Sequence, residues 1–386
     1  MRKRFLSLLT ALCLMLTLAP AAFAASTETH VKTLDELNRA LDDANITTIY
    51  LDNDISLGTD TLTIDRGVTI DGTAAKNALN YTGTSTSYYA IDVSTNDPVV
   101  INNLELNATD ANGRGVGLVG TSPKFTFSNS EMNVGNRGIG VVNSCDTNSY
   151  ITISNSVIEN SQLPAGQTYD TWARYGDTRG ISLWDMDNAE VNITDSKILG
   201  FGYTINLAGT LENNVRDYNG TKVNVTDSEL KGWTAFNVWS SSTEFNITNS
   251  YLKGINNSNG PTDGFATIVV NDDIYGYGWG GTNANVFTIT GGTITSYRSG
   301  SASEQLFRID NQGVTRVTFE YDWNNAENVK ITDGTGDSAS VFYSGHLKDP
   351  NDWERFMTEN VSGEDEWCVL TPAEGQNLVW TPTQTK

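Results

Sequence analysis

Val191-Asn-Ile-Thr-Asp-Ser-Lys-Ile198, Val223-Asn-Val-Thr-Asp-Ser-Glu-Leu230 and Phe245-Asn-Ile-Thr-Asn-Ser-Tyr-Leu252 are one eight-residue unit written three times: apolar, Asn, apolar, Thr, Asp or Asn, Ser, any residue, apolar. It recurs as Phe125-Thr-Phe-Ser-Asn-Ser-Glu-Met132 and Ile151-Thr-Ile-Ser-Asn-Ser-Val-Ile158, in a worn form as Phe287-Thr-Ile-Thr-Gly-Gly-Thr-Ile294, and distantly over Val99 to Leu106. Alternation over the first three positions predicts a strand with one buried face. Thr or Ser, Asp or Asn, and Ser then predict a tight bend, because these side chains hydrogen-bond nearby backbone. The apolar eighth residue returns inward on a new strand. One copy cannot bury its own apolar face, whereas stacked copies can, so the unit predicts a solenoid. Asn and Ser recurring at fixed positions then stack as ladders along the bends.

Coil starts at Val99, Phe125, Ile151, Val191, Val223, Phe245, Phe287 and Val317 differ by 26, 26, 40, 32, 22, 42 and 30 residues. The base coil is therefore 22 to 26 residues, and longer intervals carry loops at Gln162 to Thr178, Asn256 to Gly264 and Ile274 to Asn285. A further strand aligns in each coil as Arg114-Gly-Val-Gly-Leu118, Arg137-Gly-Ile-Gly-Val141, Arg179-Gly-Ile-Ser-Leu183, Tyr203-Thr-Ile-Asn-Leu207, Ala235-Phe-Asn-Val238, Thr267-Ile-Val-Val270 and Leu306-Phe-Arg-Ile309.

The two ends read differently. Arg2-Lys-Arg4, the apolar run Phe5 to Leu18 and Ala22-Phe-Ala24 have the form of a secretory signal peptide. The expected organisation is a signal peptide over 1–24, a parallel β-helix with its capping helix over 25–328, and a C-terminal cap over 329–386. Within the cap, Asp349 to Thr358 is expected as a short helix and Leu378 to Trp380 as a last strand. No membrane span is expected beyond the leader. The formal charge of −22 becomes −25 without the three leader cations Arg2, Lys3 and Arg4. Such a surface repels nucleic acid and anionic membrane, and argues against polyanionic sugars unless metal ions bridge. Cys145 and Cys368 are the cysteines outside the leader, which excludes a disulfide framework.

Before the repeats, Leu34 to Asn45 reads as an amphipathic helix, with Thr33 and Glu36 as a capping box. Strands are expected over Thr47 to Ile55, Leu62 to Ile64 and Gly67 to Gly72. Thr33-Leu-Asp-Glu-Leu-Asn-Arg-Ala-Leu41, followed by Ile49-Tyr-Leu-Asp-Asn-Asp-Ile55 and Val68-Thr-Ile-Asp-Gly72, resembles the start of the pectate-lyase-like superfamily. That resemblance, covering Thr33 to Asp322, implies an all-β, right-handed parallel β-helix with an N-terminal capping helix. It is specific for architecture. The Trp-Ile-Asp-His and Arg-x-Pro-x-x-Arg stretches of pectate lyases are missing. So are the Asn-Thr-Asp and Gly-His-Gly signatures of polygalacturonases and the Gly-Arg-Pro-Trp stretch of pectin methylesterases; Leu306-Phe-Arg-Ile-Asp310 only grazes the Arg-Ile-Lys of polygalacturonases. His30 and His346, the two histidines, lie near the ends, which disfavours a histidine-dependent mechanism.

The aligned strands place Ser182, Asn206, Asn237 and Arg308 in one outward column, and Trp184, Trp239, Asn271 and Asp310 in the next. Tyr169, Trp172, Arg174 and Tyr175 lie in the adjoining loop, and Tyr275, Tyr277 and Trp279 in a second. Aromatic faces cover the apolar faces of pyranose rings, and Asn, Asp and Arg match hydroxyls. Trp172, Tyr175, Trp184, Asn206, Asn237, Trp239, Asn271, Arg308 and Asp310 are therefore the candidate ligand-binding residues. The opposing expectation is that Trp184 and Trp239 pack under their own loops.

For an enzyme, the candidate catalytic residues are Arg174, Arg179, Asp185 and Asp272. Asp185, Asp187, Asp272 and Asp273 are the candidate ligands for a Ca²⁺ that would acidify the proton beside a uronate. Three functions stand open. One is a secreted bacterial adhesin-like module binding an extracellular polysaccharide, surface glycan or surface protein. The second is a polysaccharide lyase or glycoside hydrolase, and the third a structural surface protein.

Overall fold

A computed structural model describes residues 27–142, 148–184, 186–208, 220–240, 242–256, 266–271 and 285–298. Of these, Asn256, Asn271, Ser296 and Arg298 are described as backbone, as are the strands Phe307–Asp310, Arg316–Glu320, Lys330–Thr332, Phe342–Tyr343, Val361–Ser362, Trp367–Val369 and Leu378–Trp380.

The first half of each repeat unit forms one parallel ladder, running Pro98–Asn102, Lys124–Ser128, Tyr150–Ser154, Glu190–Thr194, Lys222–Thr226, Glu244–Thr248, Val286–Thr290 and Arg316–Glu320. Register is kept residue for residue, as in Phe125 with Ile151 and Ile151 with Val191. Val191, Ile193, Val223, Val225, Phe245 and Phe287 are fully buried. Each such side chain contributes roughly 1.5–3 kcal/mol when removed from water. Phe245 and Phe287 stack flat at 4.2 Å between neighbouring coils, with Phe236 edge-on to Phe245 at 5.6 Å.

The bend shows why position five is Asp or Asn. Asn129, Asn155, Asp195, Asp227 and Asn249 all have φ between 48° and 52°. This left-handed region costs most residues about 1–2 kcal/mol and suits Asn and Asp among side-chain-bearing residues. In the worn copy Gly291 takes the position, at φ 67°. The serines at position six form an internal ladder: the backbone N–H of Ser130, Ser156, Ser196 and Ser228 each donates to the hydroxyl of the next serine, at 3.1–3.2 Å. Asparagines ladder outside, Asn246 Nδ2 donating to Asn224 Oδ1 at 2.9 Å and Asn224 Nδ2 to Asn192 Oδ1 at 2.8 Å.

After the bend a second ladder runs through Glu105–Ala108, Glu131–Val134 and Val157–Asn160, and a third through Ile91–Val93, Arg114–Leu118, Arg137–Val141 and Arg179–Trp184. Lys197–Ala208 and Glu229–Val238 run through both ladders without a break. Each full coil thus has three strands around one core, a parallel β-helix. Parallel crossovers of this kind are right-handed in nearly all proteins.

The helix spans Leu34–Asp42 and covers the open end of the first coils with Leu37, Ala40 and Leu41. Thr33 Oγ1 accepts from the Glu36 N–H, and Glu36 reaches back to the Lys32 N–H at 2.7 Å. It stops at Asp42, short of Asn45, because Asp43 is extended and its carboxylate takes the Asn45 N–H at 3.0 Å. Arg66 ties its C-terminus to the first coil by donating to the carbonyls of Ala40, Leu41 and Ile46 at 2.6–2.8 Å. Two further details differ from the sequence reading. Thr47 to Ile55 is not one strand but Ile46–Leu51 and Ile55–Gly58, parted at a corner where Asp54 accepts the Ala78 N–H at 2.8 Å. A strand at Thr27–Val31, ahead of the helix, adds in parallel to Ile46–Leu51.

Near the other end, Lys330–Thr332 and Phe342–Tyr343 continue the second and third ladders, whereas Trp367–Val369 and Leu378–Trp380 pair antiparallel. The expected signal peptide and the helix expected at Asp349 to Thr358 lie outside the described residues. Among the described residues no helix is long and apolar enough to cross a membrane.

Candidate functional site

The outer face of the third ladder carries three columns of side chains. At the strand starts, Arg114 lies opposite Arg137, Arg137 opposite Arg179, and Arg179 opposite Tyr203. The middle column runs Gly117, Gly140, Ser182, Asn206 and Asn237. At the strand ends, Trp184 is opposite Ala208, and Trp239 follows Val238, which is opposite Leu207. Trp184 and Trp239 thus flank Ala208, two strand spacings or roughly 10 Å apart.

Burial differs sharply between columns. Asn206 and Asn237 are 2% and 4% exposed, and Asn237 Nδ2 donates to Asn206 Oδ1 at 2.7 Å. The expectation that they present outward to a ligand is corrected: strand alternation aims them out of the core, but neighbouring structure covers them. Asn237 instead orients Trp239, whose indole N–H donates to its Oδ1 at 3.1 Å. Asn206 Nδ2 is buried without a partner among the described residues. Nearer the helix the same column is covered by Tyr89, whose hydroxyl would lie 2.1 Å from a Cβ at Gly140. Trp184 is half-buried and packs on the main core, and Trp239 is half-buried.

The loop expected at Gln162 to Thr178 folds back on the coils. Arg174 donates to the carbonyls of Ala111 and Gly135, which makes it a staple for the loop, and burial pushes its pKa down. Tyr169 donates to the Asn160 carbonyl at 2.8 Å and lies 6.5 Å from Trp172. Asp170 meets Lys231 at 2.7 Å and Lys253 at 3.6 Å; Glu229 also contacts Lys231. Burial lowers the Lys231 pKa, but Asp170 and Glu229 outweigh it and hold Lys231 above its ordinary value. Lys253, farther from Asp170, stays below its own because burial dominates. Tyr175, 49% exposed, stands edge-on to Trp233 at 5.3 Å, and Tyr203 flanks the same indole at 6.4 Å. With Ala173, Ile255 and Tyr297 these form a second apolar cluster outside the main core.

Trp233, Arg114 and Arg137 are the residues of this face that sequence reasoning did not single out as site residues. Arg179, which it did, donates to Asp177 and to Ser182. Asp187 is exposed. Asn271 and Asp310 are paired in register on adjacent strands, as are Val269 and Arg308, and only their backbone is described for Asn271, Arg308 and Asp310. Asp185, Asp272 and Asp273 lie outside the described residues, as do Tyr275, Tyr277 and Trp279. Among the described residues no three His, Cys, Asp or Glu side chains gather as a metal site. A separate groove of about 420 Å³ follows the bend between the first two ladders, lined by Lys76, Asn129, Asn155, Asp195 and Lys197. Its Asn155 and Asn129 amides already donate along the ladder.

Residues 28–151 match the family model of a pectate lyase-like adhesive domain. No curated protein and no solved structure gives a significant match. In fold the chain is a parallel β-helix, and the ladders continue this architecture beyond the matched residues.

Proposed function

We propose that this is an exported protein that holds an extracellular glycan or surface partner against the outer face of its third ladder, as a binding module and not a catalyst. One observation carries the reading: Trp184 and Trp239, both half-buried, stand on one column with Ala208 between them. Indole faces suit the apolar faces of sugar rings. The adhesive-domain match supports a surface role, and the basic start, apolar run and Ala22-Phe-Ala24 support export.

The test is a glycan array probed with the mature protein, with and without Ca²⁺. Every hit is then assayed for new reducing ends and for the ultraviolet absorbance of an unsaturated product. Retention without either signal is expected. Trp239→Ala is expected to abolish retention while the melting temperature stays put. New reducing ends would replace this reading with a lyase or hydrolase, in which Asp272→Asn should stop turnover and spare binding. Retention unaffected by Trp239→Ala would move the binding face elsewhere.

A further inference from the structure

The register of the third ladder brings three guanidinium groups into one line. Arg114, Arg137 and Arg179 start successive strands and lie directly opposite one another. Neighbouring strands are about 4.8 Å apart. Like charges facing each other at that spacing are destabilising unless something of opposite charge lies between them.

The described residues supply little of it. Asp177 meets Arg179 at 2.7 Å and Arg137 at 3.3 Å, and its side chain is 60% exposed. Arg114 has an amide and a ring instead: its Nε donates to Asn136 Oδ1 at 3.2 Å, and its guanidinium lies 5.5 Å from the centre of the Tyr89 ring. The Nε of Arg137 is buried with no hydrogen-bond partner among the described residues. Among the described residues, three arginines against one ion-paired aspartate leave a local charge of +2. The chain as a whole has 46 acidic residues to 24 basic ones. The arginine line is thus a local exception to an acidic chain. Burial lowers the pKa of Arg114 and of Arg179, with Arg137 adding to the effect in both. The side chains of Arg137 and Arg179 keep 20% and 14% exposure, so the line is open to an incoming anion.

We infer that Arg114, Arg137 and Arg179 form an anion-binding strip that takes a carboxylate or sulfate carried by the bound chain. Guanidinium groups match both oxyanions with paired N–H donors, which an ammonium cannot do. The strip continues in register into Tyr203, beside Trp233 and the exposed Tyr175. Charge recognition and ring stacking therefore follow one another along the solenoid, which suits an acidic sugar. The inference deepens the proposed glycan binding and relies on it for the polymer, but the anion site stands on the arginines alone. It also answers the objection from net charge, because the attraction is local while the repulsion is spread over the surface.

The test uses the full mature chain and three oligosaccharide sets of matched length: neutral, uronate-bearing and sulfated. Binding is measured by calorimetry for the wild type, Arg137→Gln and Arg137→Lys, and the melting temperature is followed with glucuronate and with inorganic sulfate. One charged set is expected to bind at least tenfold tighter than the neutral set. That preference should weaken with salt, vanish in Arg137→Gln and return only in part in Arg137→Lys. Which charged set wins assigns the anion. Equal binding of charged and neutral sets, or a preference that survives Arg137→Gln, overturns the strip and leaves neutral glycan binding standing. If no oligosaccharide binds, a melting shift by glucuronate or sulfate that Arg137→Gln removes keeps the strip and discards the glycan. No shift discards both. Should Arg137→Gln not fold, Arg114→Gln, which breaks no ion pair, decides between the same outcomes.

Discussion

At position five of the repeat a single side chain does two jobs. Asn155 holds φ at 48° and passes its amide to Asn129 Oδ1 at 2.8 Å. Asn155→Gly keeps the backbone and loses the side-chain bond, worth about 1 kcal/mol. Asn155→Ala loses both, adding about 1–2 kcal/mol for a left-handed Ala. Urea unfolding should therefore rank wild type above Gly and Gly above Ala; equal midpoints for Gly and Ala would contradict the backbone argument. Ser196→Ala should cost about 1–3 kcal/mol, because the buried Ser156 N–H would lose its acceptor. The bend was legible in the letters Thr-Asp-Ser, although hydrogen bonding alone did not reveal the left-handed conformation that restricts the choice to Asp, Asn and Gly. The arginine strip was equally visible as a recurring Arg-Gly at Arg114, Arg137 and Arg179, but these were read as strand starts and not as a column. Burial of Asn206 and Asn237 was not legible, because alternation says which way a side chain points and nothing about what lies over it.

The loop from Gln162 to Thr178 is held by charge at Asp170 and by packing at Tyr175. Lys231 donates a hydrogen bond to Asp170 and holds its carboxyl below the usual carboxylate range, against the opposing effect of burial. A lowered carboxylate pKa makes the clamp complete above about pH 4, and the clamp is lost as pH falls through the lowered value. Because the Asp170 side chain is 57% exposed, the effect on global stability is small and the effect on the loop is the one to measure. Asp170→Asn should speed proteolytic cleavage within 162–178 several-fold at neutral pH. Wild-type cleavage by an acid protease should rise only below about pH 4. Cleavage that ignores both changes would mean that the aromatic packing alone holds the loop. The loop's position was legible from the long coil spacing. Its anchors were not, since Lys231 and Trp233 sit in a strand whose sequence neighbours give no sign of the loop above them.

The stacked coils need closed ends, because an exposed strand edge invites pairing with another chain. Leu37, Ala40 and Leu41 close the first, and Arg66 holds them there through three backbone carbonyls. Leu37→Asp should uncover this edge and shift the protein to oligomers in light scattering, whereas Arg66→Ala should do so only on mild heating. A monomer in both variants would show that the helix is dispensable as a lid. The repeat itself made the stacked architecture plain, since a fixed pattern of apolar residues at coil spacing has few other ways to be buried. The aligned polar and aromatic columns of the third ladder were legible from the sequence, whereas the arginines at its strand starts were not picked out as a column.

The central claim is that ligand lies along that third ladder. Hydrogen exchange, read by mass spectrometry with and without the best oligosaccharide from the array, tests it most directly. The account predicts slowed exchange in segments 114–118, 137–141, 179–184 and 203–208 and in the loop around Tyr175, with the bends at Asn129 and Asn155 unchanged. Protection confined to those bends, along the groove lined by Lys76 and Lys197, would contradict it.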